Sequence, residues 1–397
     1  MQPSRLLFAL LCVSVWINYI DRGNLSVAAP ALQPEMGLTP TQLGVLLSAF
    51  FWTYSLMQPL AGWLVDRFDV YRVYAAGFAV WSVAVAAGGL THSFAALLAT
   101  RLLLGIGESV AYPSYSRILA SAFPEDRRGF ANAMIDAGTK AGPAVGTFAG
   151  GLLVQAIGWR MFFFALGALS LLWLGPWLKT IPAPLPPAQR IAGPPASAVL
   201  RRPDAWITFG GLFCFNYAFY FLLTWLPTYL VRERRFSMRA MAIYGALPFL
   251  ATAVASVLAG RWADARIRSG DAASRVRRSV AVLGLVLSGT MLTAAALAPP
   301  APAMVCLVTA FVGIGLFTGN AWAITQTLAG SHLAGSWTGW QNAVANLGGV
   351  LAPIVTGWSV SVAGSFLAAF AIASLMLLTS AVLYGPGLSR CRTTTVR

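Results

Sequence analysis

Apolar residues run along this chain in stretches too long for the stripe of a surface helix. Each stretch holds roughly 20 mostly apolar residues between short polar or Pro/Gly interruptions, the length needed to cross hydrocarbon as a helix. Twelve such runs are present, at 6–31, 41–64, 72–91, 94–117, 129–157, 160–180, 205–231, 240–262, 279–298, 301–326, 335–361 and 363–385. They predict an all-α membrane protein with twelve transmembrane helices. The first run has only Arg5 as a positive start and no small-residue cleavage site, so it reads as a retained helix and not a signal peptide.

Composition supports this pattern. Of 397 residues, 58% are apolar and 10% are charged, against about 25% charged in soluble domains. Cys12, Cys214, Cys306 and Cys391 lack the spacing of a disulfide framework or a CxxC site. His92 and His332 lie 240 positions apart, which argues against a metal centre. Neither Lys140 nor Lys179 follows a glycine, so no Walker A loop exists and an ATP-driven pump is excluded. A membrane-embedded enzyme would need a nucleophile–base constellation that is not evident. A sensor that binds without translocating is the other rival class.

The net charge of +15 would suggest nucleic acid in a soluble protein. In a membrane protein it fits cationic cytoplasmic loops facing anionic lipid, so the bilayer is the expected partner and nucleic acid is not. With termini inside, nineteen Arg/Lys fall in cytoplasmic segments. Five (Arg160, Arg232, Arg234, Arg235 and Arg239) fall outside. That imbalance predicts cytoplasmic termini, in a bacterial inner membrane. The Arg232–Arg239 cluster opposes the rule locally, either as an anion-attracting outer mouth or as a solvated loop. Seven prolines in 181–204 mark a semi-rigid cytoplasmic linker between halves 1–180 and 205–397.

The halves repeat. Asn18-Tyr19 recurs as Asn216-Tyr217, and Gly62 with Asp66 as Gly260 with Asp264, both at an offset of 198. Gly105-Ile106-Gly107 recurs as Gly313-Ile314-Gly315 at 208, and Asn132, Gly138 and Pro143 as Asn342, Gly348 and Pro353 at 210. Parallel six-helix repeats flanking a midplane cavity describe a rocking-type secondary transporter.

An ionisable side chain at a span centre costs about 2.5–3.5 kcal/mol on insertion scales, so retained ones are functional candidates. Six stand out: Asp21 and Arg22, Arg101 and Glu108, Asp136 and Lys140, all in the first half. Their repeat partners are neutral, so the duplicated scaffold does not need the charges to fold. Asp21 and Arg22 lie about 100° apart and face different directions. Arg101 and Glu108 share a face but stand about 10 Å apart in rise, which leaves room for an acid from another helix. Asp136 and Lys140 suit a self-neutralising i,i+4 pair. The six charges sum to zero. Protonating one carboxylate would give the cluster a charge of +1, which an anion could neutralise, and a carboxylate that gains and loses an Arg partner can load and release a proton.

On these residues the chain resembles the anion:cation symporter family within the major facilitator superfamily. Members carry sugar acids such as galactonate, glucarate and hexuronates, aromatic acids and, in animals, sialic acid or glutamate. The resemblance spans essentially the whole chain. It rests on Asn18-Tyr19-Ile20-Asp21-Arg22, on Arg101-Leu-Leu-Leu-Gly-Ile-Gly-Glu108, and on Thr224-Trp225-Leu226-Pro227-Thr228-Tyr229-Leu230. Gly62-x-x-x-Asp66-Arg67 is similar to the superfamily's loop motif, whose Asp caps a helix end and bridges to cytoplasmic Arg. This chain departs from that motif at Asp69, Val70 and Tyr71. The resemblance implies that Arg22 binds a substrate carboxylate, that Asp21 and Glu108 take protons, and that Arg101 pairs with the acids. It also implies that Tyr19 and Tyr54 face the cavity, with aromatic packing as the alternative for Tyr54.

In the second half, Asn216, Tyr217, Tyr220, Gln341, Asn342 and Asn346 offer uncharged groups for substrate hydroxyls, or serve as interhelical glue. Gly138-x-x-x-Gly142-Pro143-x-x-Gly146 also resembles the fifth-span motif of proton-driven exporters, although such spacing serves close helix packing as well. Many relatives lack an ionised pair where Asp136 and Lys140 stand. The expected function is proton-coupled uptake of a small organic anion, a sugar acid or other carboxylate, by alternating access. The transporter is expected to be monomeric, with the proton as coupling ion and no other cofactor. Export of drugs or metabolites is the alternative.

Overall fold

The computed structural model describes residues 5–122, 125–182 and 197–388. Most of the linker, Arg190, Cys391 and the tail with Arg390, Arg392 and Arg397 lie outside the described residues, as do the side chains of Arg127, Arg128, Asn132 and His332. Every regular element among the described residues is helical. They form α1 (Arg5–Glu35), α2 (Pro40–Arg67), α3 (Val70–Gly88), α4 (Phe94–Glu108), α5 (Ala111–Ala122), α6 (Glu125–Leu172), α7 (Leu174–Thr180), α8 (Ser197–Leu200), α9 (Pro203–Arg232), α10 (Met238–Arg268), α11 (Ala273–Leu297), α12 (Pro300–Ala363) and α13 (Leu367–Val382).

Local chemistry sets several of these ends. Thr39 caps α2 through a reciprocal capping box with Gln42, and Pro40 follows at the first helical position. Ser93 caps α4 by accepting from the Ala96 N–H. Asp69, where the loop motif departs from the superfamily pattern, caps α3 by accepting from the Tyr71 N–H.

Among the described residues, eleven helices are long and apolar enough to cross a membrane. One of them, Met134–Thr180, has 47 residues, about 70 Å of helix against about 30 Å of hydrocarbon. Gly158 interrupts it with φ 77° and ψ 161°, a conformation that only glycine adopts cheaply. It therefore crosses twice, and the total is the expected twelve. The 64-residue α12 likewise holds two apolar segments, Pro300–Ala329 and Ser336–Ala363.

The chain forms two compact units, 1–190 with 224–246, and 191–223 with 247–397. This differs from a division at the linker, because 224–246 packs on α1 and α6. Ser26 Oγ donates to the Thr224 carbonyl at 2.7 Å, Arg232 Nη1 donates to Gln33 Oε1 at 2.9 Å, and a Cβ on Gly151 would stand 2.6 Å from the Ala242 Cβ. The Arg232–Arg239 cluster is thus partly engaged, with Arg234 also lying 5.2 Å over the Tyr229 ring.

Glycine lets the helices of the first unit approach closely, as lipid-embedded packing requires. Gly138, Gly142 and Gly146 of α6 lie on Val15, Tyr19 and Ile20 of α1, and a Cβ on Gly142 would come within 2.6 Å of the Tyr19 Cβ. Phe78 stacks on Trp173 at 4.1 Å, and Trp173 on Trp177 at 4.8 Å, which seats α7 against α3.

In the second unit, Gly284 of α11 and Gly313 of α12 face one another's carbonyls, while Gly315 lies on Thr252 and Ser256 of α10. Residues 197–204, expected in the linker, fold here instead: Val199 packs with Ala205, Phe209, Ala329 and Trp337.

The repeat recurs as contacts. Thr53 Oγ1 donates to the Leu102 carbonyl at 2.7 Å, and Thr252 Oγ1 donates to the Phe311 carbonyl at 2.8 Å. The paired glycines, however, exchange roles. Gly105 lies on α2 and Gly107 on α3, whereas Gly313 lies on α11 and Gly315 on α10. The register of this span is therefore nearer 209–210 than 208. Arg101 then falls opposite Ala310 or Phe311, and Glu108 opposite Phe317 or Thr318. All four are uncharged, so the charge asymmetry stands.

Candidate functional site

Two neighbouring faces of α1 carry the chemistry of the first unit. Asn18, Asp21 and Asn24, three residues apart, are buried in the bundle at 0%, 0% and 2% exposure. Tyr19 and Arg22 lie on the adjoining face. Gly142 admits the Tyr19 backbone against α6, so the small residue on α6 sets where this face points. Opposite, α4 carries Arg101 and ends at Glu108, just before the two-residue interruption that separates it from α5.

Arg22 Nε donates to Glu108 Oε2 at 2.8 Å, with side-chain exposures of 9% and 0%. The Arg22 guanidinium also lies over three rings, with centroids at 5.0 Å (Tyr19), 5.1 Å (Phe50) and 4.6 Å (Tyr54). Such contacts are worth about 0.5–2 kcal/mol each, depending on solvation. Phe50 and Tyr54 are stacked at 5.1 Å, and the Tyr19 and Tyr112 hydroxyls meet at 2.9 Å. The Tyr54 ring thus both stacks on Phe50 and lies under the Arg22 cation.

Arg101 takes a neutral partner. Its Nη1 and Nη2 donate to Asn24 Oδ1 at 2.7 and 3.1 Å. Neither carboxylate oxygen of Asp21 has a hydrogen-bond partner, though Asp21 lies within electrostatic range of Arg101 and Glu108. Arg101 thus lies near both acids and hydrogen-bonds to Asn24. Asn24 was not singled out from the sequence; the polar stripe Asn18, Asp21, Asn24 was the signal available. Lys140 and Asp136 pair on α6 as their spacing predicted, with side-chain exposures of 21% and 59%.

At the loop motif, Asp66 lies 3.4 Å from Arg117 Nη1, which also donates to the Val65 carbonyl. The bridge to a basic side chain is present, while the helix cap comes from Asp69. Arg67 is exposed, and a Cβ on Gly62 would meet nothing within 4 Å. Asp264, the repeat partner of Asp66, lies 3.4 Å from Arg277.

In the second unit, Tyr220 donates to Asn346 Oδ1 at 3.3 Å, Tyr217 is buried, Asn216 is half-buried and Asn342 is exposed. Gln341 turns inward. Its amide is fully buried, accepting from Thr325 Oγ1 at 2.8 Å and donating toward the Thr208 carbonyl and Tyr384 hydroxyl at 3.2 and 3.3 Å. In this arrangement it bonds between helices, about 100° around the helix from the exposed Asn342.

A protein-family comparison now bears on this arrangement: the profile described as Major Facilitator Superfamily matches residues 11–353. The chain belongs to the Major Facilitator Superfamily. It is 32% identical over 399 residues to a probable sulfoacetate transporter of Cupriavidus necator, covering 95% of this chain and 92% of the relative. It is 29% identical to a D-galactonate transporter of Escherichia coli O6:H1, covering 90% of each chain, and 29% identical to a hexuronate transporter of Bacillus subtilis, covering 90% and 88%. Among solved structures, a bacterial homologue of the human lysosomal transporter Spinster superposes with a TM-score of 0.82 at 19% identity, covering 96% of both chains. That likeness shows the fold. This facilitator is a multi-pass membrane transporter and not an enzyme.

Proposed function

We propose that the chain imports a small organic anion, a sugar acid or other carboxylate, together with protons. The Arg22–Glu108 ion pair carries this reading. A guanidinium positions carboxylates well, because its planar fork donates in a fixed direction. Here its Nε is taken by Glu108, so an incoming carboxylate competes with an internal one. A proton on Glu108 removes the negative partner, and the substrate carboxylate replaces it. The empty site and the site holding both proton and anion carry the same net charge, whereas either ligand alone leaves a charge in a buried place. Binding of the two is thereby coupled. Asp21 is the second proton site, since it can take a proton without giving up a hydrogen bond.

The names of the three relatives, all transporters of organic acids, support the substrate class. The packing of Gly138, Gly142 and Gly146 on α1 favours a structural role for that motif, which removes the main support for export. The Arg/Lys imbalance supports cytoplasmic termini, and the bacterial relatives support a bacterial inner membrane. Purified protein in proteoliposomes should accumulate at least one of D-galactonate, D-glucuronate, D-glucarate and sulfoacetate when an inward proton gradient is imposed. Equilibration without accumulation for every acid carried would sink proton-coupled import.

A further inference from the structure

A small crevice enters the first unit among α1, α3, α4 and α6, away from the rings that hold Arg22. Val85, Gly88 and Leu97 wall it, and Asn24, Thr100 and Arg101 supply its polar groups. Its space suits about one water molecule, and polar partners are what such a water requires. Asn24 and Arg101 are 2% and 6% exposed, so these are interior polar groups and not surface ones.

The crevice reaches the Asn24 face of α1, on which Asp21 stands one turn away, about 4.5 Å in rise. Arg101 donates to Asn24 and not to Asp21, which leaves the Asp21 carboxylate clear of any hydrogen bond. The charged groups acting on Asp21 are Glu108 and Arg101 of α4. From α6 the helix presents Gly138, Gly142 and Gly146, while Asp136 and Lys140 pair with each other.

We propose that this crevice is a proton path to Asp21, separate from the Arg22 face where the anion binds, with Asn24 holding Arg101 aside while the proton passes. The inference rests on the reading of Asp21 as a proton site. A single water among Asn24, Thr100 and Arg101 can relay a proton, whereas apolar walls exclude an organic acid. Gly88 keeps the path open. A Cβ there would stand 3.2 Å from the Phe163 ring and 3.7 Å from Thr100 Oγ1, so a valine side chain would fill the space.

The test uses the full chain in proteoliposomes with whichever of D-galactonate, D-glucuronate, D-glucarate or sulfoacetate is carried. Gly88→Val should slow proton-driven accumulation at least tenfold and leave counterflow, which needs no net proton movement, within twofold. Because Gly88→Val could disturb folding, a second arm uses Thr100→Val, which keeps the side chain's size but removes the crevice hydroxyl; it should show the same selective loss. Accumulation unchanged in Thr100→Val, or accumulation and counterflow lost together, overturns the path. Wild-type transport without proton-driven accumulation would instead overturn the earlier reading, and this inference with it.

Discussion

Replacing Glu108 by glutamine tests the competition at Arg22. Both side chains of the pair are less than a tenth exposed, so solvent screens little of the interaction. Removing one member of such a buried pair costs about 3–5 kcal/mol, chiefly because the remaining charge is left uncompensated. Glutamine can still accept from Arg22 Nε, which recovers part of that loss but supplies no negative charge. An added carboxylate does supply it. Glu108→Gln should therefore bind the transported acid at least tenfold more tightly than wild type at pH 8, a difference of about 1.4 kcal/mol. Wild-type affinity should weaken as pH rises, by up to about tenfold per unit for each proton that accompanies the anion, while the variant's slope should be shallower by the proton Glu108 carries. Isothermal titration calorimetry of the purified protein at pH 6, 7 and 8 measures both. Equal affinities with equal pH slopes would refute the competition.

Packing predictions are read by thermal stability, with a transport KM added for Gln341. Gly142→Val should destabilise by about 1–3 kcal/mol, because its Cβ alone would come within 2.6 Å of the Tyr19 Cβ. Gly62→Ala should be neutral or slightly stabilising, since its Cβ meets nothing and alanine is the better helix former. Gln341→Leu should lose roughly 2 kcal/mol, at about 0.6 kcal/mol for each of three interhelical hydrogen bonds, and leave the KM for transport unchanged. A raised KM at full stability would return Gln341 to the substrate.

The twelve crossings were legible because hydrocarbon thickness dictates run length, and Gly158 breaks the longest apolar helix of the first half at the punctuation read from sequence. The charged residues of the site were legible because each is costly inside a membrane. Their partners were not. Whether Glu108 meets Arg22 or Arg101 depends on how α4 is rotated and shifted against α1, and that register is set by Gly105 on α2, Gly107 on α3 and Gly142 on α1. Asn24 stayed hidden for the opposite reason to Asp21, since a neutral amide raises no alarm in a hydropathy reading. Gln341 and Asn342 differ by one position, and only coordinates separate the one turned inward from the one exposed.

The central claim is that the proton on Glu108 and the anion on Arg22 arrive together. Its most direct measurement is proteoliposome transport by Glu108→Gln, comparing accumulation under an inward proton gradient with counterflow at equal pH. The account predicts counterflow near wild type and gradient-driven accumulation far below wild type, with only the Asp21 proton left to drive it. Accumulation that follows the proton gradient as steeply as wild type in this variant would contradict it.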